Sequence, residues 1–203
     1  MLLKPEKYEE IEVNEFDFTP LELGGHKGII KKVEQYTGQT GNVSLKVTVD
    51  TAPNDKQPSY FQKQYDNDTR TDKKWSNGAI KYVSLKQDEN CVKMLKAFIT
   101  AVENSNNGFK FDWNKEEDQL VGKKVGLIFG LEEYSGQDGT TKRATKLTQF
   151  RSIDKVDNAN IPKVKLLNGK FVDYDDYMEY EEEQEDPFKD FGDTVEITDD
   201  ILD

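Results

Sequence analysis

Cysteine and histidine are almost absent from this chain of 203 residues, which contains one of each, Cys91 and His26. A single cysteine cannot form an internal disulfide, and neither residue has neighbours with metal-ligand spacing. The sequence therefore predicts a reduced, intracellular protein without a metal or cofactor. Cys91 falls on the apolar side of a predicted helix and His26 has no nucleophile pattern around it, so the sequence also favours a protein that is not an enzyme.

Long hydrophobic runs are also missing. The longest apolar stretches, such as VGLIFG at residues 125–130, are far shorter than the roughly 20 residues that cross a bilayer. The first residues, MLLKPEKYEEIEVNEF, become acidic where a signal peptide needs its apolar region. We therefore expect a soluble protein with no membrane partner.

Charge is unevenly distributed along the chain, although the net value is −12. Residues 172–203 contain 15 acidic residues and one basic residue, and residues 1–22 contain seven acidic and two basic ones. The middle, residues 23–171, contains 25 basic and 18 acidic residues, a net charge of +7. This pattern predicts an acidic lead-in (1–22), a basic folded domain (23–171) and a disordered acidic tail (172–203).

The apolar pattern predicts three strands, a helix and two more strands. Two β-branched runs around TGQTG, residues 37–41, indicate a hairpin, and Ser59–Tyr65 is expected to form the third strand, with KYVSL at 81–85 as a further short extended piece. The helix begins at Asp88 or Asn90 and ends near Asn104. Two closing strands follow, joined by a turn at residues 135–139. This order predicts a mainly-β fold, an OB-fold five-stranded Greek-key barrel with a helix between its third and fourth strands.

Basic and aromatic residues are interleaved through the predicted domain. Single-stranded nucleic acid offers bases that stack on aromatic rings and phosphates that attract a positive groove. Each residue alone is as compatible with core packing or a solvated face, so the prediction depends on the set as a whole. Tyr36, Tyr65 and Trp75 are the predicted stacking residues, because they lie beside or within loops. The predicted nucleic-acid-binding residues are Lys31, Lys32, Tyr36, Lys46, Lys63, Tyr65, Arg70, Lys73, Lys74, Trp75, Lys142, Arg143, Lys146 and Arg151.

Several stretches resemble a known family. KGIIKKVEQYTGQTGNVSLKVTVDTA, VGKKVGLIFGLEEYSGQDG and KLTQFRSID, followed by IPKVKLLNG and an acidic tail, resemble phage-encoded single-stranded-DNA-binding proteins of the OB-fold type. The resemblance implies sequence-tolerant binding of single-stranded DNA during phage replication or recombination, in the cytoplasm of a bacterial host. It leaves open whether the protein is a homodimer.

The same resemblance implies two roles for the acidic tail. The tail would compete with DNA for the protein's own groove, and it would recruit replication or recombination proteins. Its predicted partner-binding residues are Asp186, Phe188, Phe191, Ile201 and Leu202.

A second interpretation comes from another class of protein. An acidic protein can mimic DNA and occupy a nucleic-acid enzyme, with its basic segment serving only as structure. Such a mimic should display negative charge on its folded domain. Here the charge is concentrated at the two ends, which favours the DNA-binding interpretation.

Overall fold

A computed structural model of the chain describes residues 19–185. In this part the chain forms a mainly-β fold of seven strands and three helices. The strands are β1 (Gly24–Thr37), β2 (Val43–Thr51), β3 (Ile80–Ser84), β4 (Lys124–Ser135), β5 (Thr141–Arg151), β6 (Val164–Lys165) and β7 (Phe171–Val172). The helices are α1 (Tyr60–Asn67), α2 (Glu89–Ser105) and α3 (Tyr174–Glu185).

The strands form one open, mixed sheet in the order β3-β2-β1-β4-β6-β7, and β5 also pairs with β4. The pairs β1–β2, β2–β3, β1–β4 and β4–β5 are antiparallel. The first half of β4 lies against β1, whereas its second half meets β6 in parallel at Glu132 and Lys165. The long β4 therefore joins the main sheet to the small C-terminal hairpin.

The core lies between the inner face of the sheet and α2. Leu45, Val47 and Val49 of β2 alternate inward and are almost fully buried, as the sequence pattern predicts. α2 packs against β3, β4 and β5 and contributes Phe98 and Val102 to the same core cluster. Each fully buried aliphatic side chain contributes about 1.5–3 kcal/mol relative to exposure. The predicted helix is confirmed, and its N-cap is Asp88, whose carboxylate accepts a hydrogen bond from the Cys91 amide at 3.0 Å.

The prediction of a third strand at Ser59–Tyr65 is wrong, because this segment begins α1. Two buried residues at the end of β2 accept hydrogen bonds from the first amides of α1 and thereby cap the helix. The Asp50 carboxylate accepts from the Phe61 amide at 2.9 Å, and the Thr51 hydroxyl accepts from the Tyr60 amide at 2.9 Å. The third strand in chain order is β3, Ile80–Ser84, which overlaps the stretch at 81–85 predicted only as a short extended piece.

The predicted onset of disorder at Val172 is also wrong for residues 172–185. This segment completes β7 and forms α3. Tyr177 anchors the helix: its side chain is 5% exposed, and its hydroxyl donates to the Glu133 carboxylate at 3.0 Å. The remainder of the predicted tail, and residues 1–18 of the predicted lead-in, lie outside the described residues.

No helix within residues 19–185 combines the length and apolar character that crossing a membrane requires.

Candidate nucleic-acid interface

Several predicted binding residues converge on a cleft beside α1. Lys63 and Tyr65 come from the helix, and Arg70 and Lys74 come from the loop that follows it. The cleft has a volume of about 650 Å³, and Tyr60 and Pro58 complete one wall. These side chains would lie far apart if the segment were an extended strand. They face the same cleft because the segment forms a helix that packs against the end of β2.

A second cleft continues the first towards the β4–β5 hairpin. Its volume is about 640 Å³, and Tyr134, Arg143 and Lys146 are among its lining residues. Tyr60, Gln64 and Ser76 line both clefts. We call the two clefts together the α1 groove. The residues that define it are Tyr60, Lys63, Tyr65, Arg70, Lys74, Tyr134, Arg143 and Lys146.

The α1 groove has a positive balance of charge. Five basic residues line it, against two acidic ones, Asp68 and Glu132. Both carboxylates already have cationic partners: Asp68 binds Arg70 with an Nη2–Oδ2 distance of 2.7 Å, and Glu132 binds Lys165. The hydrogen bonds from Arg70 lower the pKa of Asp68 to about 2. Within residues 19–185, the ammonium group of Lys63 forms no ion pair, so it is available to a phosphate.

Tyr65 of the α1 groove contacts Trp75 and Lys73, which lie behind it and do not line the groove. The Tyr65 and Trp75 ring centroids are 5.8 Å apart with an interplanar angle of 36°, and the Lys73 ammonium lies 5.7 Å from the Tyr65 centroid. Trp75 is partly buried, packs against the core and donates its indole N–H to the Val49 carbonyl at 3.1 Å. Trp75 is predicted as a stacking residue from its place in a loop, but the structure packs it against the core. Tyr65 lines the cleft and Trp75 does not.

A second aromatic surface lies on the outer face of β1, β2 and β3. Tyr36 and Tyr82 are 44% and 48% exposed, and their ring centroids are 5.2 Å apart. Lys46 stands directly between the strands, since it pairs with Glu34 on β1 and with Tyr82 on β3. We call Tyr36, Lys46 and Tyr82 the tyrosine platform. Exposed rings held side by side on a sheet are suited to stacking on unpaired bases.

The charge of the tyrosine platform depends on one carboxylate. Glu34 binds both Lys32 and Lys46, the latter with an Nζ–Oε1 distance of 2.9 Å. The hydrogen bonds from these two lysines lower the pKa of Glu34, and the Glu34 contact in turn raises the pKa of Lys46. Two cations share one anion, so the platform keeps a local positive charge at neutral pH.

Three predicted residues lie away from both surfaces. Lys142 binds Asp138 at 3.0 Å near the tip of the β4–β5 hairpin. Arg151 ends β5 and lines a shallow depression beside α2 together with Lys155. Lys31 is exposed on β1 at an irregular point of its register with β2. The predicted partner-binding residues of the tail lie outside the described residues.

Sequence reasoning missed Tyr60, Tyr82 and Tyr134. The signal for Tyr82 was present, because Ile80, Tyr82 and Ser84 alternate with the inward Val83. Its position beside Tyr36, however, follows from the pairing of β3 with β2 and of β2 with β1. Tyr60 and Tyr134 come from segments 74 residues apart in sequence, and only the fold brings them to one cleft.

His26 has a structural environment. It is 1% exposed, and its ring contacts the Asp55 carboxylate at 2.7 Å and the Glu22 carbonyl at 3.0 Å. Asp55 also accepts from the Lys27 amide at 2.7 Å and thereby ties the loop before α1 to β1. Burial raises the pKa of Asp55, but the hydrogen bonds from His26 and the backbone outweigh it and leave that pKa below its usual value.

Residues 19–185 contain no group of three or more histidine, cysteine or carboxylate side chains arranged to hold a metal ion. No protein-family model matches the chain, and no curated protein matches its sequence.

Proposed function

We propose that this protein binds single-stranded DNA without strong sequence preference, through the α1 groove and the tyrosine platform. The observation that carries the proposal is the combination in one domain of a groove with excess positive charge and paired, exposed aromatic rings. Phosphates would contact Lys63, Lys74 and Lys146, and bases would stack on Tyr65, Tyr36 and Tyr82. A groove alone would serve other anions, but exposed ring faces add the affinity for unpaired bases.

We further propose that the sheet is a partly open barrel of the OB type. The sequence β1-β2-β3, then α2, then β4-β5, and the pairing of β1 with both β2 and β4, support this assignment. The segment before β3 also approaches β5: a Cβ added to Gly78 would lie 2.5 Å from the Thr145 carbonyl oxygen. The two edges that a barrel must bring together are therefore close at this point.

The biological setting of this proposal is phage DNA replication or recombination in the cytoplasm of a bacterial host, as the resemblance implies. On this proposal the protein performs no catalysis and needs no cofactor. Its acidic tail would compete with DNA for the α1 groove and recruit replication or recombination proteins. Because α3 is part of the described fold, a deletion that tests the tail should remove residues 186–203 and retain α3.

The experiment is a titration of the full chain with oligo-dT, oligo-U and duplex DNA at several salt concentrations. We expect oligo-dT to bind better than duplex, with a footprint on the order of 4–16 nucleotides. The logarithm of affinity should fall with the logarithm of salt by about 0.7 for each phosphate contacted. Affinity independent of salt, or duplex bound better than oligo-dT, would contradict the proposal.

Matched variants separate the groove from general surface charge. Lys63→Gln and Lys146→Gln should each weaken oligo-dT binding and reduce the salt slope by about 0.7. Lys96→Gln removes an exposed lysine of α2, outside the proposed surfaces, and should change neither quantity. Equal effects of all three substitutions would assign the binding to net charge and not to the α1 groove.

One observation favours the alternative of an acidic mimic. α3 carries seven acidic residues and no basic one, and Tyr177 holds it against β4. Negative charge is therefore displayed on the folded domain as well as in the sequence beyond it. If the chain bound no oligonucleotide but inhibited a nucleic-acid enzyme, and lost that inhibition when Asp175, Asp176 and Glu179 were changed to their amides, the mimic would replace the binding protein.

A further inference from the structure

We propose that the C-terminal appendage of β6, β7 and α3 is a docking site for a basic, apolar peptide segment of another protein. This site is distinct from the α1 groove and the tyrosine platform, and the proposal does not depend on DNA binding. It rests on an apolar pocket with rigid walls, on exposed apolar side chains around it, and on the sign of the surrounding charge.

The walls of the pocket are held in place by one carboxylate. Glu133 of β4 accepts a hydrogen bond from the Tyr177 hydroxyl at 3.0 Å through one oxygen and from the Leu167 amide at 2.9 Å through the other. It thereby ties both α3 and the β6–β7 hairpin to the main sheet. Lys163 and Asp173 add an ion pair at 2.9 Å across the hairpin. A pocket between these elements is therefore pre-formed, which lowers the entropy lost on binding.

The pocket is apolar where a ligand would insert. It has a volume of about 690 Å³, within the range of sites that hold small ligands or a few side chains. Its lining includes Leu166, Leu167, Val172, Tyr177 and Tyr180.

Apolar side chains remain exposed at the edge of the pocket. Leu167 is 53% exposed, Tyr180 is 61% exposed, and the neighbouring Phe171 is 63% exposed. Clustered exposure of this kind, beside a pre-formed pocket, is typical of an interaction surface, whereas single exposed apolar residues are ordinary.

The surrounding charge selects the occupant. Asp176 lines the pocket, and the remaining described carboxylates of α3, those of Asp175 and Glu179, lie on the same short helix. Of the lysines on the β6–β7 hairpin, Lys163 and Lys165 are paired with Asp173 and Glu132, which leaves Lys170 against these three carboxylates of α3. The remaining negative charge would repel nucleic acid. The acidic residues 186–203 of this chain would be repelled as well, since that segment has a single basic residue, Lys189. The complementary ligand has two or three apolar side chains flanked by lysine or arginine.

The test selects peptides from a random library on the full chain and then measures their affinity. We expect enrichment of peptides that combine Leu, Ile or Phe with Lys or Arg. For an enriched peptide, Leu167→Ser and Tyr180→Ser should each weaken binding about tenfold, because each removes one apolar contact. Met94→Ser is the matched control: Met94 is 52% exposed on α2, away from the appendage, and its substitution should have no effect.

Three results would overturn the proposal. The enriched peptides could be acidic or lack apolar residues; binding could be unchanged by Leu167→Ser and Tyr180→Ser; or the library could show no enrichment on the full chain beyond that on the Leu167→Ser variant. A concentration-dependent dimer in sedimentation, abolished by Leu167→Ser, would instead assign the pocket to a second copy of this chain. Binding of oligo-dT by both variants should equal that of the unmodified protein, so failure here leaves the proposed function separately testable.

Discussion

Substitution of Asp50 tests whether one buried carboxylate creates α1. Asp50 is 2% exposed, and its Oδ1 atom accepts from the Thr51 and Phe61 amides, both at 2.9 Å. In Asp50→Ala both amides lose this acceptor, and each buried N–H left unpaired costs about 1–3 kcal/mol. Removal of a buried charge returns part of that loss. We therefore expect Asp50→Ala to lower the free energy of unfolding by about 2–4 kcal/mol.

Asp50→Asn is the matched variant, because the amide retains the Oδ1 acceptor and removes the charge. Burial raises the pKa of Asp50 above its ordinary value, and the amide hydrogen bonds offset this only in part. With a raised folded pKa, the unfolded chain loses its proton first as pH rises, so ionisation of Asp50 opposes folding above that range. At neutral pH we expect the free energy of unfolding of Asp50→Asn to lie within about 1 kcal/mol of that of the unmodified protein. The stability of the variant relative to the unmodified protein should increase as pH rises through the titration of Asp50.

Thermal unfolding followed by circular dichroism measures both variants. For a chain of this size about 1 kcal/mol shifts Tm by roughly 2–4 °C, so Asp50→Ala should unfold roughly 4–16 °C lower. Asp88→Ala removes the exposed N-cap of α2 and should cost only about 1 kcal/mol. Hydrogen exchange at the Phe61 amide should accelerate in Asp50→Ala alone. If Asp50→Ala and Asp50→Asn unfolded at the same temperature, the carboxylate would not be the cap of α1.

Four further predictions concern the tyrosine platform, Trp75, the buried His26–Asp55 pair and the close approach at Gly25. Tyr82→Ala should weaken oligo-dT binding by about 1–3 kcal/mol in a fluorescence titration, since one stacking ring is lost. Trp75→Phe should leave the oligo-dT affinity nearly unchanged. It should lower the free energy of unfolding by about 1 kcal/mol, because it removes the hydrogen bond to the Val49 carbonyl. The pKa of Asp55 is lowered in the folded protein. Its ionised carboxylate therefore stabilises the fold above its unfolded pKa of about 3.9, and this stabilisation is lost as pH falls through the folded pKa. Asp55→Asn should therefore flatten the acid limb of a curve of unfolding free energy against pH. Gly25→Ala should markedly lower Tm, because its Cβ would lie 1.9 Å from the Val156 carbonyl oxygen.

Local patterns were sufficient for the elements whose stability is local. The hairpin of β1 and β2, the four-turn helix α2 with its Asp88 cap, and the β4–β5 hairpin all follow from side-chain periodicity and turn residues close together in sequence. The chemical character of the candidate interface was also readable, because the interleaved lysines and aromatic residues are present in the sequence however it folds.

Tertiary structure decided the elements that depend on distant partners. Ser59–Tyr65 has the composition of a strand, but two buried side chains of β2 satisfy the first amides of a helix there. Residues 172–185 are too acidic to order alone, yet Glu133 of β4 offers both oxygens to the appendage.

The site divides in the same way. The sequence alone determined that the middle of this chain is a basic, aromatic-rich, mainly-β domain between acidic ends. Only the tertiary structure decided which rings face solvent and which cations share a groove. It also decided that Trp75 supports the core while Tyr82 lies beside Tyr36. The physical reason is that strand pairing and helix capping bring together residues that lie far apart in sequence. Local propensity does not contain information on such contacts.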